Sequence, residues 1–396
     1  MKRQLPRIGT MVVLGAILLH TPVFAQQFTF RSDHYHVHSE VSEDHARQVA
    51  HRLEAHLQLF NEYFRFPLDE LADPLTVRMF RNRSRYDAHV ERILGQPRRG
   101  AVYLHFDNRE RNELVSYLDV REETNRAIAH QSLLQFMRAF VPHPPLWIRE
   151  GFAAYFEAIQ YDSTLNVAVF QENLLWLDTL QRLATDPHGA LIPVDEALTL
   201  SLQDAGAKIE TFYPQAWGMV SFLLHAERPA TNRILWDSLS ALSSEASREE
   251  NEARIAQRIL PWVNISALQE EFIQYIDAQR TFRGWIVDGI AHWEQGDADG
   301  AEHAFNRAIR LRQDNHVPFY YLGLINYNRG NHGLADYYYQ LALDAGSDPG
   351  ITLFALGINA FADDRLDEAS LYLRNTIEAD PRFRDQAEAL LARIGS

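Results

Sequence analysis

The sequence predicts a two-part fold: an α+β N-terminal domain with a helical subdomain, followed by an all-α helical repeat solenoid. Three observations predict it. Columns of glycine, alanine and aromatic residues recur every 34 residues in the last third of the chain. The first part runs in the order strand, helix, strand, strand, strand, helix, loop, helix, an α+β arrangement. Between the two, helical periodicity dominates. The expected boundaries are 1–25, 26–165, 166–281 and 282–396.

Composition narrows the chemistry. The chain has 396 residues, 46% hydrophobic and 23% charged, an ordinary globular mixture. It has no cysteine, which excludes disulfide scaffolds, thiolate metal sites and thiol catalysis. Lysine occurs only as Lys2 and Lys208, so Schiff-base chemistry would rest on Lys208 alone. With 38 basic against 53 acidic residues the chain is a poor general binder of nucleic acid, which needs clustered Lys and Arg. No G-x-S-x-G or G-x-G-x-x-G occurs.

Residues 1–25 read as a cleaved signal peptide. Lys2, Arg3 and Arg7 precede an apolar run from Ile8 to Leu19, and Val23-Phe24-Ala25 ends on a small residue. An uncleaved N-terminal anchor is the alternative. Cleavage would move the net charge from −15 to −18. Export to a bacterial periplasm or the cell exterior is expected, with no integral membrane segment in the mature chain.

Residues 28–38 (FTFRSDHYHVH) alternate as a strand does, with Tyr35 and Val37 inward and His34, His36 and His38 on the other face. Val41–Phe64 reads as a long amphipathic helix. Leu75–Arg81 and Ala101–Phe106 read as strands separated by a helix after Ser84, and Glu113–Leu118 as a further strand. A helix from Thr124 to Phe140 stops at Pro142-His143-Pro144-Pro145, and a second runs from Leu146 to Ile159.

The segment Pro145-Leu146-Trp147-Ile148-Arg149-Glu150-Gly151-Phe152-Ala153-Ala154-Tyr155-Phe156 resembles the second site helix of gluzincin metallopeptidases of the peptidase MA-like type. The resemblance extends at pattern level over about residues 28–280, including Tyr213-Pro214-Gln215-Ala216-Trp217. In that family the preceding helix carries H-E-x-x-H. Here the corresponding residues are His130-Gln131-Ser132-Leu133-Leu134.

Two histidines four apart share a helix face and can grip one zinc ion. A third ligand completes the shell, and the intervening Glu takes a proton from the metal-bound water. The resemblance makes His130 and Glu150 vestigial ligands, but Leu134 removes one imidazole and Gln131 cannot accept a proton. General-base assistance alone is commonly worth about 10²–10⁴ in rate. Two readings follow: His130 is a scaffold histidine paired with Glu150, or a residual metal site is completed by another histidine, with His143 the best placed. In active relatives the later helices can supply an oxyanion-steadying group, and Tyr213 is that candidate; beside Pro214 it reads equally well as an aromatic staple.

Helical patterns cover Gln171–Leu183, Pro193–Leu202, Phe212–Glu227, Thr231–Leu242 and Ser266–Arg280, with a charged, loop-like stretch at Ser243–Glu252.

In the last third, Gly289, Gly323 and Gly357 align at the 34-residue period. So do Ala301, Ala335 and Ala369; Trp293, Tyr327 and Phe361; and Phe305, Tyr339 and Leu373. Ala308, Ala342 and Thr376 form another column. A small residue where two helices cross lets backbones approach, and a large one opposite fills the space. These columns resemble the tetratricopeptide repeat, implying three helix pairs over 282–383 and a capping helix at Arg384–Ile394. By family position Trp293, Tyr320, Tyr327, Phe354 and Phe361 line or flank a groove for a protein or peptide partner; packing between repeats is the other role for the same rings. Residues 284–396 hold 17 Asp and Glu against 9 Arg, which would steer a basic or mixed-charge partner. Asp297-Ala298-Asp299-Gly300 reads as a turn, since the later ligands of a calcium loop are missing.

The resulting expectation is an exported, non-catalytic scaffold that binds a protein or peptide. Its inactivated metallopeptidase-like body could hold an extended peptide beside the strand Glu113–Leu118. An active zinc metallopeptidase built around His130, Glu150 and another histidine is the alternative, and only that alternative needs zinc.

Overall fold

A computed structural model describes residues 27–71, 73–186 and 191–395. The expected leader lies outside them. Among the described residues no helix is long and apolar enough to cross a membrane. The chain is mostly helical, with one small mixed sheet near its N-terminus.

The run at 28–38 is not one strand but two. Ser32 and Asp33 turn the chain, the Ser32 amide bonds the Tyr35 carbonyl, and β1 (Phe28–Arg31) pairs antiparallel with β2 (Tyr35–Ser39). Glu54 fixes the turn by accepting from the Ser32 hydroxyl and the His34 amide, each at 2.7 Å. His34 therefore leaves the histidine face, and His36 and His38 stack on each other with centroids 4.3 Å apart. Tyr35 and Val37 are fully buried.

β3 (Leu75–Phe80), β4 (Ala101–Leu104) and β5 (Glu113–Tyr117) complete a sheet of order β1-β2-β3-β5-β4. β2, β3 and β5 run parallel, and β4 closes one edge antiparallel to β5. The expected edge strand Glu113–Leu118 is thus interior, because β4 folds back over it. On one face Val77, Met79 and Leu114 pack with α1 (Glu43–Phe64) and α3 (Glu122–Phe140). On the other, Val115, Tyr117 and Leu104 pack with Tyr86 and Val90 of α2 (Arg83–Leu94).

After α3, Pro145 opens α4 (Leu146–Tyr155), which ends four residues earlier than periodicity suggests. A short hairpin, β6 (Gln160–Asp162) with β7 (Val167–Val169), follows. The helices α5 (Leu177–Thr185), α6 (Val194–Leu198), α7 (Leu202–Ala207), α8 (Ile209–His225), α9 (Pro229–Ser240), α10 (Arg248–Ile259) and α11 (Ile265–Ala278) form the connector. Two expectations change here. The run Pro193–Leu202 breaks into α6 and α7. The charged stretch ending at Glu252 enters α10, opened by a capping box in which Ser247 and Glu250 satisfy each other's backbone amides.

The last third forms helix pairs: α12 (Phe282–Glu294) with α13 (Ala298–Leu311), α14 (His316–Asn328) with α15 (His332–Asp344), and α16 (Pro349–Ala362) with α17 (Leu366–Ala379), before α18 (Arg384–Ile394). The glycine column has one physical reason. A Cβ on Gly289 would fall 2.7 Å from the Phe305 ring, on Gly323 2.4 Å from Tyr339, and on Gly357 2.9 Å from Leu373. Each large partner is almost wholly buried, as are Ala301, Ala335 and Ala369.

Gly323→Ala is expected to destabilise the protein by about 1–3 kcal/mol through overpacking, despite alanine's better helix propensity. Gly333→Ala is the control, since nothing lies within 4 Å of its added carbon. Thermal unfolding of both variants checks this: a lowered Tm for the first and an unchanged or raised Tm for the second.

Candidate functional site

Helix packing brings His130 and Glu150 together. Gly151 is the hinge of that arrangement, because a Cβ there would sit 2.4 Å from the Ala216 carbonyl oxygen and 2.7 Å from Val220. Only a glycine lets α4 lie against α8 so closely, and this directs the neighbouring Glu150 toward α3. Both residues are largely buried, with side-chain exposures of 14% for His130 and 7% for Glu150.

The His130 imidazole lies between two carboxylates. Nδ1 bonds Glu157 Oε1 at 2.7 Å, and Nε2 faces Glu150 Oε2 at 3.6 Å. The other oxygen of Glu150 accepts from Arg149 Nε at 2.7 Å. Glu157 is steadied in turn by Arg126 Nη2, 3.5 Å away, which also donates to Asn173 Oδ1 at 2.7 Å. Burial would lower the pKa of His130, but Glu150 and Glu157 outweigh it and hold the imidazole up at about 9. Burial would raise Glu150, but His130 and Arg149 hold it down at about 2. The two carboxylates thus favour the imidazolium at neutral pH, with Nδ1 donating to Glu157 and Nε2 facing Glu150 beyond hydrogen-bond distance.

Gln131 faces elsewhere. Its Oε1 accepts the Tyr103 backbone amide at 2.8 Å, so the side chain in the general-base position serves as a cap on edge strand β4. The Ala101 amide is likewise taken, by the Arg99 carbonyl. Beside this edge runs a groove of about 580 Å³ whose charged lining residues are Arg98, Arg99 and Arg138, with no carboxylate. Arg138 donates to the Pro142 carbonyl at 3.1 Å and to His105 Nδ1 at 3.2 Å. Burial first and Arg149 second pull its pKa down to about 10.

His143 does not complete a ligand set. It is exposed in its loop, where its carbonyl accepts from Asn251 at 3.1 Å. Leu134 packs against the main core. Tyr213 lies in the second turn of α8, not at a helix start; burial first and the charge of Glu150 second push its phenol above the usual range. Among the described residues no group of three or more His, Cys, Asp or Glu side chains could hold a metal ion. His130 and Glu150 are two of the three protein ligands that a catalytic zinc site normally has, and Arg149 also engages Glu150.

The aromatic residues expected in the repeat groove are all half-buried and all have partners within the fold. Trp293 meets Tyr321 edge-on at 6.2 Å, Tyr320 contacts Tyr339 at 5.8 Å, and Tyr327 contacts His332 at 6.1 Å. Phe354 packs on Phe383 at 5.1 Å, and Arg393 lies 5.4 Å from the Phe361 ring. Their edges remain partly accessible, but packing claims most of each ring.

The sequence reads Arg126 only as no usable ligand, and it does not mark Glu157 at all. Arg126 is one turn before His130, a visible signal, whereas Glu157 lies past the end of α4 and no periodic pattern marks it. No protein-family model matches the chain, and no curated protein matches it either.

Glu150→Gln is expected to destabilise the fold by about 3–5 kcal/mol, because it leaves buried cations uncompensated; chemical denaturation measures it. The pH dependence has a definite sign. The folded pKa of His130, about 9, exceeds its ordinary 6.5. Its contribution to stability is therefore full below about 6.5 and lost as pH rises through 9. The stability gap between wild type and His130→Gln should accordingly shrink between those two values, and a gap that stays constant there would contradict the imidazolium.

Proposed function

We propose that the chain is an exported, non-catalytic protein that binds a protein or peptide through tetratricopeptide-like helix pairs, carried on a gluzincin-like body that has lost its chemistry. One observation carries this reading: beside His130 and Glu150, Leu134 packs against the core and Gln131 caps β4, so the second imidazole and the general base are both missing. The use of Gln131 on the β4 backbone supports the same reading, since it removes the Tyr103 amide from any extended peptide seeking to join that edge. Peptide recognition is accordingly assigned to the C-terminal helix pairs and not to the edge strand.

The recurring glycine-to-large-side-chain crossings support a stacked repeat architecture, in which neighbouring pairs present a continuous surface. The acidic excess over residues 284–396 favours a basic or mixed-charge partner.

The test is metal content and peptide cleavage of the purified mature protein, with and without chelator. Substoichiometric zinc and no chelator-sensitive cleavage are expected. Stoichiometric zinc with cleavage abolished by Glu150→Ala would overturn the non-catalytic reading. For the binding role, partner capture by wild type is compared with that by Trp293→Ala/Tyr327→Ala, each checked for folding by its Tm. Loss of partners in a folded variant is expected, and an unchanged partner set would count against groove recognition.

A further inference from the structure

A cavity of about 530 Å³ opens between α1, the start of α3, the β6–β7 hairpin and the strands β3 and β5. Its floor is Val77, Met79, Leu114 and Ile128, none more than 7% exposed. Its rim carries Leu118 and Val120 from the segment leaving β5, and these are 45% and 89% exposed. A half-enclosed space of this size, apolar below and open at one side, suits a small organic ligand. It lies at the carboxyl-terminal end of a parallel strand, where open sheets commonly receive ligands.

The Ser116, His45 and Asp119 side chains lining the space are engaged within the fold, whereas one cation lacks an anionic partner. The Ser116 hydroxyl donates to the Gly100 carbonyl at 2.8 Å, and His45 Nδ1 meets Ser39 Oγ at 3.0 Å. Asp119 is held by Arg121 at 2.7 Å and by the Thr124 hydroxyl at 2.9 Å. That cation is Arg52. One guanidinium nitrogen donates to Asn125 Oδ1 at 3.0 Å, and the Tyr161 ring lies 5.7 Å away. Among the described residues no carboxylate pairs with Arg52, whose guanidinium has a neutral amide and an aromatic ring as its neighbours. Burial lowers its pKa, so the cation sits where an anion would relieve it.

We propose that this cavity binds a small amphiphilic carboxylate, with its apolar body against Val49, Leu118 and Val120 and its carboxylate on Arg52. A planar guanidinium with spare donors matches a carboxylate in charge and in fork geometry. The site is separate from the His130 cluster, and its failure would leave the reading of that cluster untouched.

The test is isothermal titration of the purified protein with octanoate, octan-1-ol and octylammonium at pH 7. Octanoate binding at one per chain is expected, at least ten-fold tighter than octan-1-ol, with no binding of octylammonium. Arg52→Gln should weaken octanoate at least ten-fold. If that variant does not fold, Val120→Asp replaces it: the position is exposed enough to leave the Tm unchanged, and its charge at the rim should weaken octanoate several-fold. Absence of octanoate binding to wild type, equal affinity for acid and alcohol, or undiminished octanoate affinity in a folded Arg52→Gln or Val120→Asp variant would overturn the proposal.

Discussion

A protonated imidazole held between two carboxylates is the constraint on which the centre of this protein depends. His130 cannot be buried as a cation unless Glu150 and Glu157 face it, and Glu150 cannot be buried as an anion without His130 and Arg149. The four groups come from α3, α4 and the turn that follows α4, so the cluster fixes the relative placement of the two helices. Arg126 and Asn173 extend it to the chain beyond the β6–β7 hairpin. The side chain thus anchors α3 to α4 and to the turn that follows it.

The C-terminal third obeys a simpler rule. Its helices approach through small residues, and every glycine of the column is matched by a large buried side chain of the next helix. The aromatic residues expected to line a groove are drawn largely into this packing. Partner recognition on that surface would then use ring edges and the acidic flank more than deep aromatic anchors. The cost of ordering such a surface is small because the helix pairs already hold it.

Much of this was legible in the sequence, and the misses have physical causes. The 34-residue columns marked the helix pairs because a close crossing admits few side chains. Tyr35 and Val37 were readable as buried from alternation alone. The break between β1 and β2 carried a signal, because the apolar phase shifts from Phe28 and Phe30 to Tyr35 and Val37 across the polar run 31–34, while Glu54, some twenty residues on, fixes the turn. That β4 and not β5 forms the edge was hidden, because strand order follows from long-range pairing that no local pattern encodes. The start of α10 carried a signal, Ser247 three residues before Glu250, but high local charge masked it. His130 and Glu150 were recognisable as a pair from the resemblance, whereas Glu157, which bonds the imidazole Nδ1, lies outside any helical register with it.

The state of that ring is open to direct observation. A nitrogen-detected NMR titration of His130, assigned by comparison with His130→Gln and repeated with one equivalent of zinc, reports protonation and ligation together. The structure predicts an imidazolium through neutral pH, deprotonating near 9 and unaffected by the metal. A ring that is neutral at pH 7, or whose Nε2 resonance shifts with stoichiometric zinc, would contradict the account.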